Sequence, residues 1–253
     1  MLTLTQCQNS NMLLLIDADI FCYRIGFACE SESESVACRT MSNFLTTIIE
    51  DLVMDSDDEE HKVELYLTGK GNFRFDYAVT AEYKGNRKKN KKPQHISALR
   101  DHLIAKHGAV VTQGEETDDR IAIRATQNPE AIIVSLDKDF YQLVCGHYNF
   151  VKKELFYITK EEAVFNFYMQ FLVGDVADNI KGVRGIGPKK AEKLLEDKTE
   201  YEMWATCVEE LGSEERALEN GILLHLRRED DEIWQPPKPV TTDAGQKLGI
   251  SLS

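Results

Sequence analysis

Three short apolar runs restrict the fold of this chain more than any other feature of its sequence. The first run is Met12–Ile16, and the runs Val63–Leu67 and Ala131–Leu136 repeat the pattern. Runs of this length and composition are typical of strands buried in a parallel sheet. Apolar residues at helical spacing separate them, at residues 44–52 and 96–104. Strands that alternate with helices predict an α/β fold with a doubly wound, mostly parallel sheet.

Carboxylates gather at the ends of these runs and beside glycine turns. They form four groups, which are Asp17 with Asp19, Glu116 with Asp118 and Asp119, Asp137 with Asp139, and Asp175 with Asp178. Because like charges held together repel one another, a divalent metal ion is the natural counter-charge. Ligands of doubly wound sheets bind at the carboxyl ends of the strands, where Asp17 and Asp137 lie. Taken alone, the groups at Asp137 and Asp118 are better explained as helix N-caps, but the four groups together favour metal binding.

The last acidic group runs directly into a glycine-rich, basic segment at residues 179–190. Its glycines are Gly182, Gly185 and Gly187, and its bases are Lys181, Arg184, Lys189 and Lys190. Such a segment suits a backbone that comes close to phosphate, although a plain hairpin between two helices is the alternative. It lacks the lysine spacing of nucleotide-triphosphate loops. Metal ions beside a phosphate-binding segment indicate phosphoryl chemistry, in which two magnesium ions about 4 Å apart act on a phosphodiester.

Charge is unevenly distributed along the chain. The 253 residues carry 43 acids against 30 bases, and the net charge of −13 argues against a general nucleic-acid coat protein. Residues 84–92 nevertheless hold six bases and no acid. Tyr83 precedes this run, and an aromatic next to bases suits binding of single-stranded nucleic acid by base stacking. A solvated charged loop is the alternative.

Cysteines, histidines and hydropathy restrict the setting of the protein. The six cysteines show no C-x-x-C pair and no histidine at zinc spacing, so we expect reduced thiols. The six histidines show no partnered pair, which predicts surface or structural roles. Since no apolar stretch approaches about 20 residues and no secretory leader is evident, we expect a soluble, cytoplasmic protein without membrane contact. For a viral protein this means the host cytoplasm.

Strand patterns fade after Thr159, where helices are predicted at residues 160–171, 188–196, 201–211 and 214–226. We therefore expect an α/β domain at residues 12–158, a helical part at 159–230 and a tail at 231–253. Loops are expected at residues 31–35, at the acidic stretch 55–60 and in the proline-rich tail from Gln235.

Five segments together match one family in order and spacing. They are Asp17 after the first strand, Glu82–Arg87, Glu116–Asp119, Ser135–Asp139 and Gly174–Lys189. In these segments the chain resembles the bacteriophage and bacterial 5′-to-3′ exonuclease and flap endonuclease family, from about Leu13 to Leu226. The resemblance implies a PIN-like α/β domain, a helical arch around residues 80–93 and a helix-hairpin-helix element. It also implies a Mg²⁺-dependent nuclease of DNA replication, repair or recombination that acts on DNA with a free or flapped 5′ end and leaves 5′-phosphates.

Site residues follow from the same resemblance. One metal site would contain Asp17, Glu116, Asp118 and Asp119, and the other Asp137, Asp139, Asp175 and Asp178. Lys84 and Arg87 would act catalytically on the scissile phosphate. DNA contacts are expected from Tyr83, Lys88, Lys89, Gly182, Arg184, Gly185, Gly187, Lys189 and Lys190. The resemblance implies two Mg²⁺ ions that Mn²⁺ can replace, with a K⁺ ion at the hairpin.

The chain departs from the family pattern after the second strand, where Thr68 or Gly69 stands in place of an aspartate. The first metal site is therefore expected to be one carboxylate short, at Gly69. Two other functions stay open at this point. One is a non-catalytic protein that binds branched DNA, and the other is a nuclease acting on RNA in RNA–DNA hybrids. A monomer is the default expectation.

Overall fold

A computed structural model describes residues 12–53, 61–89 and 91–239, without the side chains of Lys88 and Lys89. Its strands are β1 Met12–Asp17, β2 His61–Lys70, β3 Val110–Gln113, β4 Ile132–Val134, β5 Gly146–Asn149 and β6 Glu154–Tyr157. They form one sheet in the order β3-β2-β1-β4-β5-β6, in which only β6 runs antiparallel to its neighbour. The predicted α/β fold with a mostly parallel sheet is confirmed.

Helices alternate with the strands in the first part of the chain and predominate after residue 160. They are α1 Ala18–Ala28, α2 Glu34–Val53, α3 Arg74–Tyr77, α4 Ile96–His107, α5 Thr117–Gln127, α6 Lys160–Val173, α7 Pro188–Leu195, α8 Glu200–Leu211 and α9 Glu214–Leu224. A hairpin of two short strands, β7 Gly174–Asp175 and β8 Ile180–Lys181, joins α6 to α7. The arch segment around residues 80–93 contains one 3₁₀ helix, Gly85–Lys89.

The predicted helices of the C-terminal part agree with the structure to within two residues at each end. The loop expected at residues 31–35 is shorter than predicted, because α2 begins at Glu34. The acidic loop at 55–60 and the tail beyond residue 239 lie outside the described residues. The division into domains at residue 158 stays a prediction.

Local sequence explains where two of these helices begin. Thr159 accepts a hydrogen bond from the backbone N–H of Glu162, and the Glu162 carboxylate accepts one from the N–H of Thr159. Thr199 and Glu202 repeat this reciprocal pair at the start of α8. Such capping boxes satisfy backbone donors that the first helical turn leaves unpaired. They fix the beginnings of α6 and α8.

Side chains that alternate along the strands fill two layers of core. Leu14 and Ile16 of β1 face α1, α2 and α4, while Leu13 and Leu15 face α5. A further core joins the C-terminal helices, and Trp234 closes it by packing against Gly221, where a side chain would collide with the indole. The part of the tail up to Pro239 is thus attached to the helical part.

Within residues 12–53, 61–89 and 91–239, no helix is both long and apolar enough to cross a lipid bilayer.

Candidate active site

The carboxyl ends of β1 and β4 lie side by side, because Ile16 pairs with Val134 in the parallel register. Asp17 is the last residue of β1 and is buried. The hydroxyl of Ser135, just after β4, donates to Asp17 Oδ2 at 3.1 Å. Asp137 accepts a hydrogen bond from the N–H of Asp139 at 2.9 Å and so also caps the following 3₁₀ turn. The cap and ligand interpretations of Asp137 are therefore compatible.

The hairpin between α6 and α7 brings two more acids to the same place. Gly174 ends α6 with a φ of 76°, and a Cβ atom there would lie 2.3 Å from the backbone nitrogen of Gly182. Only glycine permits this close approach of the two hairpin strands. Asp175 and Asp178 on the hairpin act electrostatically on Asp139, whose carboxylate accepts from the amide of Gln170 at 2.5 Å.

The carboxylates brought together in this way form one group, which we call the acid pocket: Asp17, Glu116, Asp118, Asp137, Asp139, Asp175 and Asp178. Burial, and then repulsion by Asp19 and Asp137, raises the pKa of Asp17 to about 7. Burial and the neighbouring acids likewise raise the pKa of Asp139 to about 8 and that of Asp118 well above its usual range. Charge of this density needs a positive partner.

Two bases at the start of the arch segment compensate part of this negative charge. Lys84 forms ion pairs with Glu116 and, at 3.4 Å, with Asp178. Arg87 also pairs with Asp178, and its Nε donates to the carbonyl of Ala177 at 3.0 Å. The two bases predicted to be catalytic thus lie against the acid pocket.

Tyr83 does not occupy the position expected of it. Its side chain is only 3% exposed, and its hydroxyl donates to Glu116 Oε2 and to Asp178 Oδ2 at 2.7 Å each. A buried ring held by two carboxylates cannot stack on a base, so the structure contradicts that prediction. The exposed aromatic is Phe75, 56% exposed, whose ring meets that of Tyr83 edge to face at 5.6 Å.

Asp119 is predicted from the sequence to bind metal, but the structure turns it away from the acid pocket. Both of its oxygens accept from the guanidinium of Arg74, at 2.6 and 2.8 Å, and the backbone N–H of Arg227 adds a bond at 3.2 Å. Burial acts to raise the pKa of Asp119, but the pair with Arg74 lowers it overall. This Arg74–Asp119 pair is fully buried and is structural.

The sequence analysis did not identify Arg74, because no pattern in the neighbouring residues indicates a role for it. Besides Asp119, it donates to the carbonyls of Leu223 at 2.9 Å and His225 at 2.7 Å. These carbonyls belong to the end of α9 and the residue after it. Arg74 therefore ties the beginning of α5 to the C-terminal helices.

The structure also gives a different account of the carboxylate expected to be missing at Gly69. A Cβ atom at Gly69 would lie 1.9 Å from the carbonyl oxygen of Thr112, so no side chain fits there. Thr68 instead faces the start of α5, with its hydroxyl 2.8 Å from that of Thr117. The N–H of Thr68 donates to Asp19 Oδ2 at 2.7 Å, and Asp19 also pairs with Arg100. Asp19 thus places a carboxylate beside the position that lacks one.

The donor atoms of the acid pocket are carboxylate oxygens, which fit a hard divalent cation. As they stand, no three His, Cys, Asp or Glu side chains of the described ranges converge closely enough to hold an ion. Tyr83, Lys84 and Arg87 occupy the oxygens of Glu116 and Asp178 instead. The residues fit a metal in type and burial once these bases turn away.

The glycine-rich segment presents an open, basic surface. Gly185 has a φ of 82° and Gly187 precedes α7, and a Cβ atom at either would have no neighbour within 4 Å. Arg184, Lys189 and Lys190 are exposed. Gly182 serves the hairpin through its contact with Gly174. The side chains of Lys88 and Lys89 lie outside the described structure, so their predicted DNA contacts stay predictions.

Comparison with known proteins decides the family. Residues 12–169 match the family model described as 5′-3′ exonuclease, N-terminal resolvase-like domain. This chain belongs to the 5′-3′ exonuclease family. A flap endonuclease Xni of Shewanella baltica strain OS195 is 31% identical over 208 residues, which cover 73% of this chain and 74% of the relative. DNA polymerase I of Bacillus caldotenax is 30% identical over 80% of this chain and 25% of its own length.

For other relatives of the family the match is partial. The region matched in the Xni of strain OS185 is 34% identical and spans 55% of that protein. Among solved structures, the T5 D15 protein co-crystallised with metal ions superposes with a TM-score of 0.63 over 85% of this chain and 90% of that chain. At 19% sequence identity, this likeness concerns the fold alone.

Proposed function

We propose that this 5′-3′ exonuclease family member is a divalent-metal-dependent nuclease that hydrolyses DNA phosphodiesters near a free or flapped 5′ end. The products would carry 5′-phosphates. The observation that carries the proposal is the acid pocket, in which carboxylates at the end of β1, after β4, at the start of α5 and on the β7–β8 hairpin meet two bases. Asp17, Glu116 and Asp178 of this group are buried. Acids of raised pKa in a cleft are typical of functional sites.

The proposed substrate is inferred from the exposed bases of the glycine-rich segment at residues 179–190 and from the family. Relatives include a T5 D15 flap endonuclease in complex with DNA and metal ions and the Rad2 catalytic core in complex with a DNA substrate. Arg184, Lys189 and Lys190 face solvent, where they can bind the phosphates of a duplex. Lys84 and Arg87 instead pair with carboxylates of the acid pocket, which fits a different task, orienting the reacting phosphate.

The residues of the pocket divide the chemical work. Asp17, Glu116 and Asp118 would hold one Mg²⁺, and Asp137, Asp139, Asp175 and Asp178 would hold the other. Mn²⁺ would be able to substitute, and K⁺ is proposed at the glycine-rich segment of residues 179–190. Bound there, such ions lower the pKa of a water and stabilise the leaving oxygen of a phosphodiester. Lys84 and Arg87 leave Glu116 and Asp178 and donate to the scissile phosphate. The Tyr83 hydroxyl keeps the carboxylates of Glu116 and Asp178 in position through its hydrogen bonds.

Cleavage of 5′-labelled duplex, 5′-flap and RNA–DNA hybrid substrates in Mg²⁺ tests the proposal. We expect cleavage of the DNA substrates, loss of cleavage in Asp175→Asn and retained DNA binding in that variant. Binding of flaps by the parent protein without cleavage in Mg²⁺ or Mn²⁺ would instead establish a non-catalytic branched-DNA-binding protein. Preferred cleavage of the hybrid would establish the RNA-directed nuclease.

A further inference from the structure

Two histidines share one serine on the helical layer that covers the sheet. Ser42 Oγ of α2 lies 2.7 Å from His102 Nε2 and 2.8 Å from His107 Nε2, both on α4. The two imidazole rings lie 5.4 Å apart at an angle of 65°. Sequence reasoning expected no partnered histidines, because the serine that joins them lies 60 residues before the first.

These residues are separate from the acid pocket. His107 ends α4, and β3 begins at Val110, so His107 lies near the amino end of that strand. The acid pocket lies at the carboxyl ends of the parallel strands. The feature therefore has no place in the proposed nuclease chemistry and is explained by something else.

Both Nε2 atoms are hydrogen-bonded to the Ser42 hydroxyl, so a metal ion must replace these two bonds to bind them. A serine hydroxyl has one proton, so it donates to one imidazole Nε2 and accepts from the Nε2–H of the other. Two positively charged rings around one hydroxyl would repel each other. Burial and the neighbouring His102 also lower the pKa of His107, which favours the neutral form of that ring at neutral pH. Neutral imidazole is the form that binds metal ions.

The geometry is close to that of a metal chelate. Both Nε2 atoms lie within 2.8 Å of the Ser42 oxygen, so after the rings turn slightly away from this oxygen one ion beside the three atoms can bind all of them at about 2.0 Å. Ser42, His102 and His107 are only half-buried, so an ion can reach them from solvent. Nitrogen ligands select borderline cations such as Zn²⁺ over Mg²⁺.

We infer that Ser42, His102 and His107 form a second metal site, which binds one Zn²⁺ ion through the two imidazole nitrogens. The Ser42 oxygen and water complete the coordination, since no third His, Cys, Asp or Glu joins the pair among the described residues. Structural zinc sites are closed by four protein ligands. A site with two imidazoles is therefore reversible and fills according to the free Zn²⁺ concentration.

An ion at this site would fasten α4 to α2. The same helix carries Arg100, which pairs with Asp19 and donates to the carbonyl of Thr68 at 2.6 Å beside the acid pocket. Arg100 and His107 are seven residues apart, about 10 Å along the helix. Because the ion binds the folded chain, it raises the free energy of unfolding, and this gain grows with the logarithm of the free Zn²⁺ concentration once the site is mostly filled. Zn²⁺ thus acts as a reversible clamp on the helix that follows the arch segment.

Calorimetric titration with Zn²⁺ in saturating Mg²⁺ tests this site, carried out in the background Asp17→Asn with Asp175→Asn, because the intact acid pocket would also bind Zn²⁺. We expect one Zn²⁺ per chain, at least tenfold weaker binding in His102→Asn and in His107→Asn, and unchanged binding in the exposed control His61→Asn. Ser42→Cys places a thiolate between the imidazoles, so we expect at least tenfold tighter binding and a thiolate-to-metal absorption band with Co²⁺.

Thermal unfolding in chelator establishes that each variant is folded, and His→Gln at the same position replaces any Asn variant that is not. Zn²⁺ binding that survives in either histidine variant overturns the inference. An unchanged affinity in Ser42→Cys overturns it as well, because a site centred on residue 42 must respond to a better ligand there. Absence of Zn²⁺ binding by the parent protein overturns it directly. None of these outcomes depends on nuclease activity.

Discussion

Asp118 and Asp119 are neighbours in the chain but lie in opposite environments. Asp118 faces the acid pocket, where burial and other carboxylates raise its pKa. Asp119 faces the other way and is bonded through both oxygens to Arg74, which lowers its pKa. Successive residues of an α-helix point about 100° apart, so one turn of α5 serves two purposes. The acids of the pocket are poorly compensated and can serve a ligand, whereas the Arg74–Asp119 pair is satisfied and serves the fold.

The sharpest test of this contrast replaces each of the two aspartates by asparagine. Asp118→Asn should abolish cleavage, because a charge that would hold metal is removed, and should leave the free energy of unfolding in chelator unchanged or higher. Asp119→Asn should lower that free energy by about 3 kcal/mol, because Arg74 keeps a buried charge without its partner. Denaturant unfolding and a nuclease assay of both variants measure the two effects. Equal stability loss in both would remove the distinction.

The same contrast can be tested by replacing Arg74, the partner of Asp119. Arg74→Met should cost about 3–5 kcal/mol of stability, since it leaves Asp119 buried and ionised. The double variant Arg74→Met with Asp119→Leu should recover most of that loss, because a buried pair replaced by apolar residues leaves no unpaired charge. Denaturant midpoints with unchanged m-values provide the measurement. A double variant as unstable as the single one would mean that the carbonyls of Leu223 and His225 need the guanidinium more than Asp119 does.

The two regions should also differ in how stability depends on pH. The pKa of Asp17 is raised to about 7 and that of Asp139 to about 8, so the folded protein holds protons that the unfolded chain has already released. Without metal, the free energy of unfolding should therefore fall as pH rises from about 5 to 8, by at most about 1.4 kcal/mol per pH unit for each group.

Asp119 has the opposite shift, so its contribution is complete above its unfolded pKa near 4 and is lost only in acid. Asp17→Asn should flatten the slope between pH 5 and 8, while Asp119→Asn should leave the slope as it is. Urea titrations across this range in chelator distinguish the two. A parent protein whose stability does not change with pH would contradict the crowding of acids in the pocket.

The smallest effect is expected from substitution of the exposed bases in the glycine-rich segment. Lys189→Ala and Lys190→Ala should weaken duplex binding a few-fold and reduce its salt dependence, by about 0.9 in the log–log slope for each phosphate that the variant no longer neutralises. Lys106→Ala, on exposed α4, is the matched control and should change neither quantity. Binding measured at several salt concentrations with Ca²⁺ in place of Mg²⁺ gives both numbers. An effect on cleavage rate without one on binding would assign these lysines to the chemistry.

Most of the fold could be predicted because its signals are local. Apolar runs such as Met12–Ile16 mark buried strands, and apolar residues at helical spacing mark the C-terminal helices. The site was predictable as a set of acids but not in detail. The direction of Asp119 depends on Arg74, 45 residues earlier, and the burial of Tyr83 depends on Asp178, 95 residues later. Such contacts leave no pattern in neighbouring residues.

The position of β1 in the sheet has a consequence for the order of assembly. Leu14 pairs with Val63 on one side and with Ile132 on the other, so the first strand of the described residues is one of the two central strands of the sheet. Its second partner follows more than a hundred residues later. Pairings of such long range slow folding, and on the ribosome β1 must wait for β4 with one edge and much of its apolar surface unpaired. Synthesis rate and chaperone supply, rather than final stability, should therefore limit the yield of folded protein in cells.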